Sequence, residues 1–303
     1  MQIIRHGLAL ATAAFLASAG ASQAATLDAE GLISSFGTIA LGDYTLKSHT
    51  EAPVYVGGNF NSDQSITPRG NAQGTVTPSI KGTFVVGGDL AGRPTMNNST
   101  VVTNTLSGTV QGGNNTVTTG ASVPVQDVRK AMEGLSKDLA QLTDTGASYD
   151  FSDWNQMSLS SGTPVDGFSV LNLSSADFLK TGTLKTFGNL ANTFIVNVAG
   201  SVINIGANFN QDDSSVIFNF YEATEVNVNS TFGFGILSPF ATLNLNAGGT
   251  DTFVVGNDVN QYTEVRGTFT GTLPSPVPLP AAGWLLLGSI GGVAALRRRR
   301  KAA

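Results

Sequence analysis

The chain has 303 residues, of which 12% are charged and none is cysteine, and its formal net charge is −5 at pH 7. The missing cysteines exclude disulfide staples and thiol chemistry, and the acidic balance excludes nucleic acid, whose phosphates need Lys and Arg to neutralise them. Abundant Gly, Thr, Ser and Asn, with few charged helix formers, point to β-structure with many turns.

At the N-terminus, Arg5 and His6 precede an apolar run from Leu8 to Ala19. Ser22-Gln23-Ala24 then offers the small residues that a signal peptidase reads. Residues 1–24 are expected to be a signal peptide, cut after Ala24 or after Ala25, that exports the remainder. Removing Arg5 together with Arg297 to Arg300 and Lys301 takes six of the sixteen basic residues and no acidic one. The mature chain then keeps ten basic against twenty-one acidic residues, a net charge of −11.

From Leu32 to Phe60 the pattern is strand, turn, strand, with Gly42-Asp43 as the turn and Val54-Tyr55-Val56 as a β-run ended by Gly57-Gly58-Asn59. The phrase returns at Phe84-Val85-Val86-Gly87-Gly88-Asp89. A strand that ends in a tight glycine corner, repeated in this way, suggests successive coils of a solenoid. Leu41-Gly42-Asp43-Tyr44 followed by Val54 to Asn59 resembles the opening of the choice-of-anchor A domain. That family occurs on exported bacterial proteins with interchangeable surface-sorting tails. Thr45 stands where the family usually has Asn, and Ser48-His49-Thr50-Glu51 is less acidic than usual. Between Thr95 and Gly120 the Thr, Asn and Gly content suits short solvated strands. A regular Thr-x-Thr ladder, as on an ice-binding face, has no constant period there.

Residues 123–145 predict one helix. Val128, Met132, Leu135, Leu139 and Leu142 form a single apolar stripe, with Ser122 as cap, Pro124 in the first turn and Gly146 beyond the end. Arg129, Lys130, Glu133, Lys137 and Asp138 face elsewhere. The expected fold is mainly β: a β-solenoid with this helix packed along it, which resembles the ice-binding-like adhesin fold.

From Val170 short strands follow closely: Phe194 to Gly200, Val202 to Gly206, Val216 to Thr224, Glu225 to Asn229, Gly235 to Ala241 and Thr242 to Asn246. Their period-two alternation puts Val, Ile and Leu on one face and Asn on the other. Asn219 to Thr224 and Ile236 to Ala241 strengthen the choice-of-anchor A resemblance, although the family more often has Ala-Pro where this chain has Ser238-Pro239. Phe253 to Asn257 and Phe269 to Leu273 close a domain set at residues 25–273.

Chemistry is sparse. His49 is the one histidine outside the signal peptide, and neither a Gly-x-Ser-x-Gly elbow nor an HExxH helix occurs. Asp212-Asp213 and Asp150 with Asp153 are the carboxylate clusters, both in expected loops. Asn208, Asn210, Asp212 and Asp213 alternate oxygen donors loosely like the start of an EF-hand loop, without its Gly and terminal Glu. No metal and no cofactor is expected. Trp154 and the tyrosines are scattered, so no saccharide platform can be assigned.

The tail, residues 274–303, begins with the linker Pro274-Ser275-Pro276 and the motif Val277, Pro278, Leu279, Pro280, Ala281. An apolar stretch follows from Ala282 through Trp284, Leu285, Leu286 and Leu287 to Leu296, and Arg297, Arg298, Arg299 and Arg300 end it. Leu279 to Leu296 just reaches the ~20 residues that span a bilayer, and the basic block keeps the C-terminus cytoplasmic. Motif, span and basic block resemble the PEP-CTERM class of sorting signals, specifically its VPLPA-CTERM variant, which implies processing by an exosortase. The expected partners are therefore signal peptidase, exosortase, the inner membrane and an exopolysaccharide. The expected destination is the envelope surface or matrix of a Gram-negative bacterium. The expected role is adhesive or structural and non-enzymatic. The alternatives are a solenoid polysaccharide-active enzyme using Asp groups, and an ice-binding protein.

Overall fold

The computed structural model describes residues 27–178 and 182–274. The expected signal peptide with its cleavage sites at Ala24 and Ala25, and the sorting motif, apolar span and basic block from 277 to 300, lie outside them. Among the described residues no helix is long and apolar enough to cross a membrane.

A 13-stranded sheet carries the fold, and every pairing along its main path is parallel. The path order is not the chain order. Thr38–Ala40 lies in the middle. Val54–Val56, Phe84–Leu90, Thr100–Leu106 and Thr116–Thr118 stack outward from it on one side. The chain then crosses to the far end, where Phe168–Ser174 starts a second series. Thr193–Ala199, Phe209–Asn219, Phe232–Leu245 and Val254–Gln261 stack back, and the last of these pairs with Thr38–Ala40. The architecture is therefore a solenoid-like stack of coils whose two halves meet at a central seam.

The alternation read from sequence has a direct structural meaning. Leu171, Val196, Phe218, Ile236, Val254, Thr38, Val54, Phe84 and Val101 pair in register across nine adjacent strands, all facing inward, and the column ends at the exposed Val117 of Thr116–Thr118. Thr38 is the one polar rung in that column, and its hydroxyl donates to Gln261 Oε1 at 3.4 Å. Phe178, Phe209, Phe218, Phe220, Phe232 and Phe234 fill the interior of the second half.

The two copies of the Gly-Gly phrase occupy adjacent coils. At this corner each side chain accepts the backbone N–H of the next coil: Asp43 N–H donates to Asp258 Oδ1 (2.8 Å), Asn59 N–H to Asp43 Oδ1 (2.7 Å) and Asp89 N–H to Asn59 Oδ1 (3.0 Å). A Cβ at Gly58 would run into the Asp43 carboxylate and the Gly42 backbone, and one at Gly87 into Val125. The first glycine thus admits the helix and the second admits the neighbouring coil.

Helix α1 spans Ala29–Ser35 and α2 spans Val125–Ala140. At 1.5 Å per residue, the 16 residues of α2 reach about 24 Å, the width of five strands spaced about 4.8 Å apart. That length lets α2 strap the seam. Val125 sits over Gly57 and Gly87. The Arg129 guanidinium then donates to Leu41 O (3.0 Å) and Asn257 Oδ1 (2.8 Å), one from each half. Beneath the first half of α2 the outward column is apolar: Leu237, Val255, Ile39, Tyr55, Val85 and Val102. Beneath its second half the same column continues as Asn219, Asn197 and Asn172.

Several expectations are corrected. Helix α2 starts at Val125 with Pro124 as its N-cap, which makes no side-chain cap bond, so neither Ser122 caps it nor Pro124 lies in its first turn. It stops at Ala140, because the carbonyls of Leu139 and Leu142 turn to Asn197 and Asn172. Arg129 and Glu133 are half-buried against the sheet rather than turned away. Leu32 to Ser35 is helical, since Leu32 and Ile33 pack inward from a short α1. Asp212 and Asp213 lie inside the strand Phe209–Asn219 rather than in a loop, because Asp213 pairs in parallel with Phe234 of the next coil, in a stretch with register irregularities on either side of that pair. Phe269 to Leu273 forms no strand. It is pinned instead to α1, with Phe269 N–H donating to Ile33 O and Leu273 N–H to Glu30 Oε2.

Candidate functional site

Two surfaces stand out. The first is the flat flank opposite no helix, where Asn204, Asn227, Asn244 and Asn260 stack in register. Each amide donates to the next side-chain oxygen, at 2.8–2.9 Å. Thr45 follows Asn260 across the seam. The neighbouring column carries Val202, Glu225, Thr242 and Asp258, so this flank is polar and acidic.

The second is a corner concavity of about 510 Å³ at the edge of that flank. Leu245, Gln261 and Leu46 are register partners on three adjacent coils, so the turns that follow them stack on one another. These turns supply Asn246 to Gly249, Tyr262 to Glu264, and Ser48. Gly248 takes φ +75 and lies against the Thr231 backbone, a conformation and an approach that leave no room for a side chain.

Gln261 organises the corner from behind. It is fully buried, accepts the Tyr44 hydroxyl at 2.7 Å, and donates to Thr263 O (3.0 Å) and His49 O (3.3 Å). One amide thereby fixes two turns. At the mouth the Tyr262 ring is 52% exposed, and Asn246 Nδ2 is oriented by Asn229 Oδ1 at 3.0 Å.

A charged wall closes the other side. Arg266 donates through Nε and Nη2 to both oxygens of Asp251 and through Nη1 to Glu264 Oε2 at 2.7 Å. Glu264 also meets His49 Nε2 at 3.3 Å, and Glu51 holds Arg69. The hydrogen bonds from Arg266 hold the Asp251 carboxyl below its usual range. Burial, followed by the charge of Asp251, pushes the Asp212 carboxyl up.

Those opposite shifts act on stability with opposite signs. A depressed carboxyl adds stability that is present above its unfolded value of 3.8 and is lost as pH falls through the folded value. A raised one costs stability once ionised, and the cost disappears below 3.8. Asp251→Asn is therefore expected to lower stability at pH 7 by about 1–2 kcal/mol, and Asp212→Asn to raise it slightly. Denaturant midpoints at pH 7 and pH 3 check this, and both differences should shrink at the lower pH.

The residues singled out in the sequence do not gather here as a set. Asp212 approaches the wall through Asp251, whereas Asp213 is engaged elsewhere, accepting from the N–H and hydroxyl of Ser215 and from Asn189 Nδ2. Asn208 bonds through its backbone to Gly182 and Leu184, and Asn210 is exposed. Asp150 is not in a loop as expected but ends the strand Ser148–Asp150, paired with Ser158, while Asp153 lies in a turn; they bind Ser152 and the Asn155 N–H. Among the described residues no group of three or more His, Asp or Glu is placed to hold a metal ion. His49 joins the charged wall. Tyr262, Arg266, Asp251 and Gln261 escaped the sequence reading. The available signal was Gln261, a polar residue two positions after the inward Val259.

The family described as "Putative Ice-binding-like adhesive domain" matches residues 29–267. The chain belongs to this family. The match begins at the first residue of α1 and ends just past Arg266, so the adhesive domain comprises the seam, the strap and the corner concavity together. No curated protein and no solved structure matches the chain.

Proposed function

We infer that the chain is an exported, non-enzymatic adhesive or structural protein of the cell surface or matrix. The observation that carries this reading is the adhesive-domain match across the whole stack. The polar flank supports it, since a flat row of side chains at regular coil spacing suits contact with an extended surface better than enclosure of a small substrate. In the finer form of the proposal the domain is a β-solenoid of the choice-of-anchor A type. Signal peptidase removes residues 1–24, and the VPLPA-CTERM tail passes through the inner membrane of a Gram-negative host. An exosortase cuts near Pro280, and the protein then meets exopolysaccharide.

Asp212 and Asp251 favour a second reading, because adjacent carboxyls with opposite pKa shifts are a pattern of acid–base catalysis. Against it, Asp251 gives both oxygens to Arg266, which weakens it as a base or nucleophile. The ice-binding alternative needs a regular Thr ladder, and the stacked rungs of the flank are Asn.

The test is mass spectrometry of the native C-terminus in strains with and without exosortase, together with surface attachment of a deletion strain. A chain ending near Pro280 only when exosortase is present, with attachment reduced by deletion, is the expected result. An intact 297–303 tail in both strains overturns the sorting part. Unchanged attachment after deletion overturns the adhesive part.

A further inference from the structure

The corner concavity combines features that the flat flank lacks. Its volume of about 510 Å³ falls within the range of small-ligand clefts, about 300–1,000 Å³. Its one large exposed apolar surface is the Tyr262 ring, and around that ring stand an amide, hydroxyls and a carboxylate–guanidinium pair. A peptide side chain would find almost no apolar wall here. A pyranose fits: the C–H face of a sugar ring packs on a tyrosine ring, while its hydroxyls act as both donors and acceptors toward Asn246, Ser48 and Glu264.

The groups are also fixed before any ligand arrives, which lowers the entropy lost on binding. Gln261 pins the turns, Asn229 orients Asn246, and Asp251 holds Arg266. The charge arrangement selects among sugars. The Arg266 guanidinium is engaged by two carboxylates, so it offers no free positive charge to a uronate or a sulfate. The surrounding chain is acidic and repels a polyanion.

We propose that the stacked corner around Tyr262 binds a sugar ring of a neutral polysaccharide. This supplies the adhesive reading with its ligand and rests on that reading for its biological setting, while the geometry stands independently of it.

The test titrates the purified full chain with neutral gluco-, manno- and galacto-oligosaccharides and with an oligouronate, followed by calorimetry and saturation-transfer NMR. At least one neutral series is expected to bind. Tyr262→Ala and Asn246→Ala should each weaken it by about tenfold or more with an unchanged circular dichroism spectrum. Tyr149→Ala, which removes another exposed ring outside the corner, should leave it unchanged. Absence of binding to every neutral series, preference for the oligouronate, or full binding by Tyr262→Ala overturns the proposal. Attachment assays on cells carrying Tyr262→Ala separate the two readings. Lost sugar binding with lost attachment supports both. Lost sugar binding with normal attachment overturns the corner as the adhesive contact and leaves the adhesive reading standing. A gene deletion without effect on attachment overturns the adhesive reading, and the titration alone then decides the corner.

Discussion

Asn219→Ala is expected to lower the stability of the domain by about 3 kcal/mol, against less than about 1 kcal/mol for Asn227→Ala, although both are rungs of asparagine ladders. The difference is burial. Asn219 is fully buried beneath α2, where its amide donates to Ser136 O (2.8 Å) and Asn197 Oδ1 (2.9 Å) and its oxygen accepts the Ser136 hydroxyl (2.6 Å). Alanine strips partners from the Ser136 hydroxyl and the Asn197 oxygen where water cannot replace them, and each unsatisfied buried group costs about 1–3 kcal/mol. Asn227 lies on the solvated flank, so water takes over the lost bonds. Urea midpoints of the two variants measure the contrast, and equal losses would mean that the buried ladder does not hold the strap.

Phe218→Ala should cost still more, about 3–5 kcal/mol. The ring is fully buried, and its centroid lies 5.0 Å from Phe232, 5.4 Å from Phe178 and Phe234, and 6.0 Å from Phe209. Phe232 and Phe234 belong to the next coil and Phe178 to the short helix Ser175–Phe178, so the cavity cannot collapse without shifting several of them. Thermal and urea unfolding, with the 62%-exposed Trp154→Ala as the near-neutral reference, give the number directly. A loss below about 1.5 kcal/mol would show that the interior relaxes freely around that position.

The parts of this fold that were legible in the sequence are those where physics imposes a local pattern. A strand such as Glu225–Val228 alternates because one face is interior, and the stripe of Val128, Met132 and Leu139 recurs at helical spacing for the same reason. The Gly57-Gly58-Asn59 and Gly87-Gly88-Asp89 phrases matched because adjacent coils meet at one corner. Other features had no local signature. The corner ladder joins residues 16, 30 and 18 apart in turn, so a search for a constant period fails, and the hairpin of Gly74–Thr77 with Ile80–Gly82 accounts for the long interval. The Leu32-Ile33 pair in a seven-residue helix resembles the start of a strand. The concavity draws on residues 48, 246–249, 262–264 and 266, which only the seam brings together. Its key side chain, Gln261, turns inward by alternation with Val259, but the Tyr44 hydroxyl and the His49 carbonyl that it binds are more than 200 residues away in the chain.

The seam also sets the order in which the molecule can form. Two rungs of the same ladder, alike in geometry, join residues 16 apart (Asn59 to Asp43) and 215 apart (Asp43 to Asp258). Closing a loop that is about thirteen times longer costs about 2 kcal/mol more in chain entropy, so the local coils stack first and the seam closes last. A chain made from its N-terminus therefore cannot complete its fold until Val254–Gln261 has followed, 216 residues after Thr38. Until then the edge of Thr38–Ala40 stays open. The domain locks only when that last coil arrives.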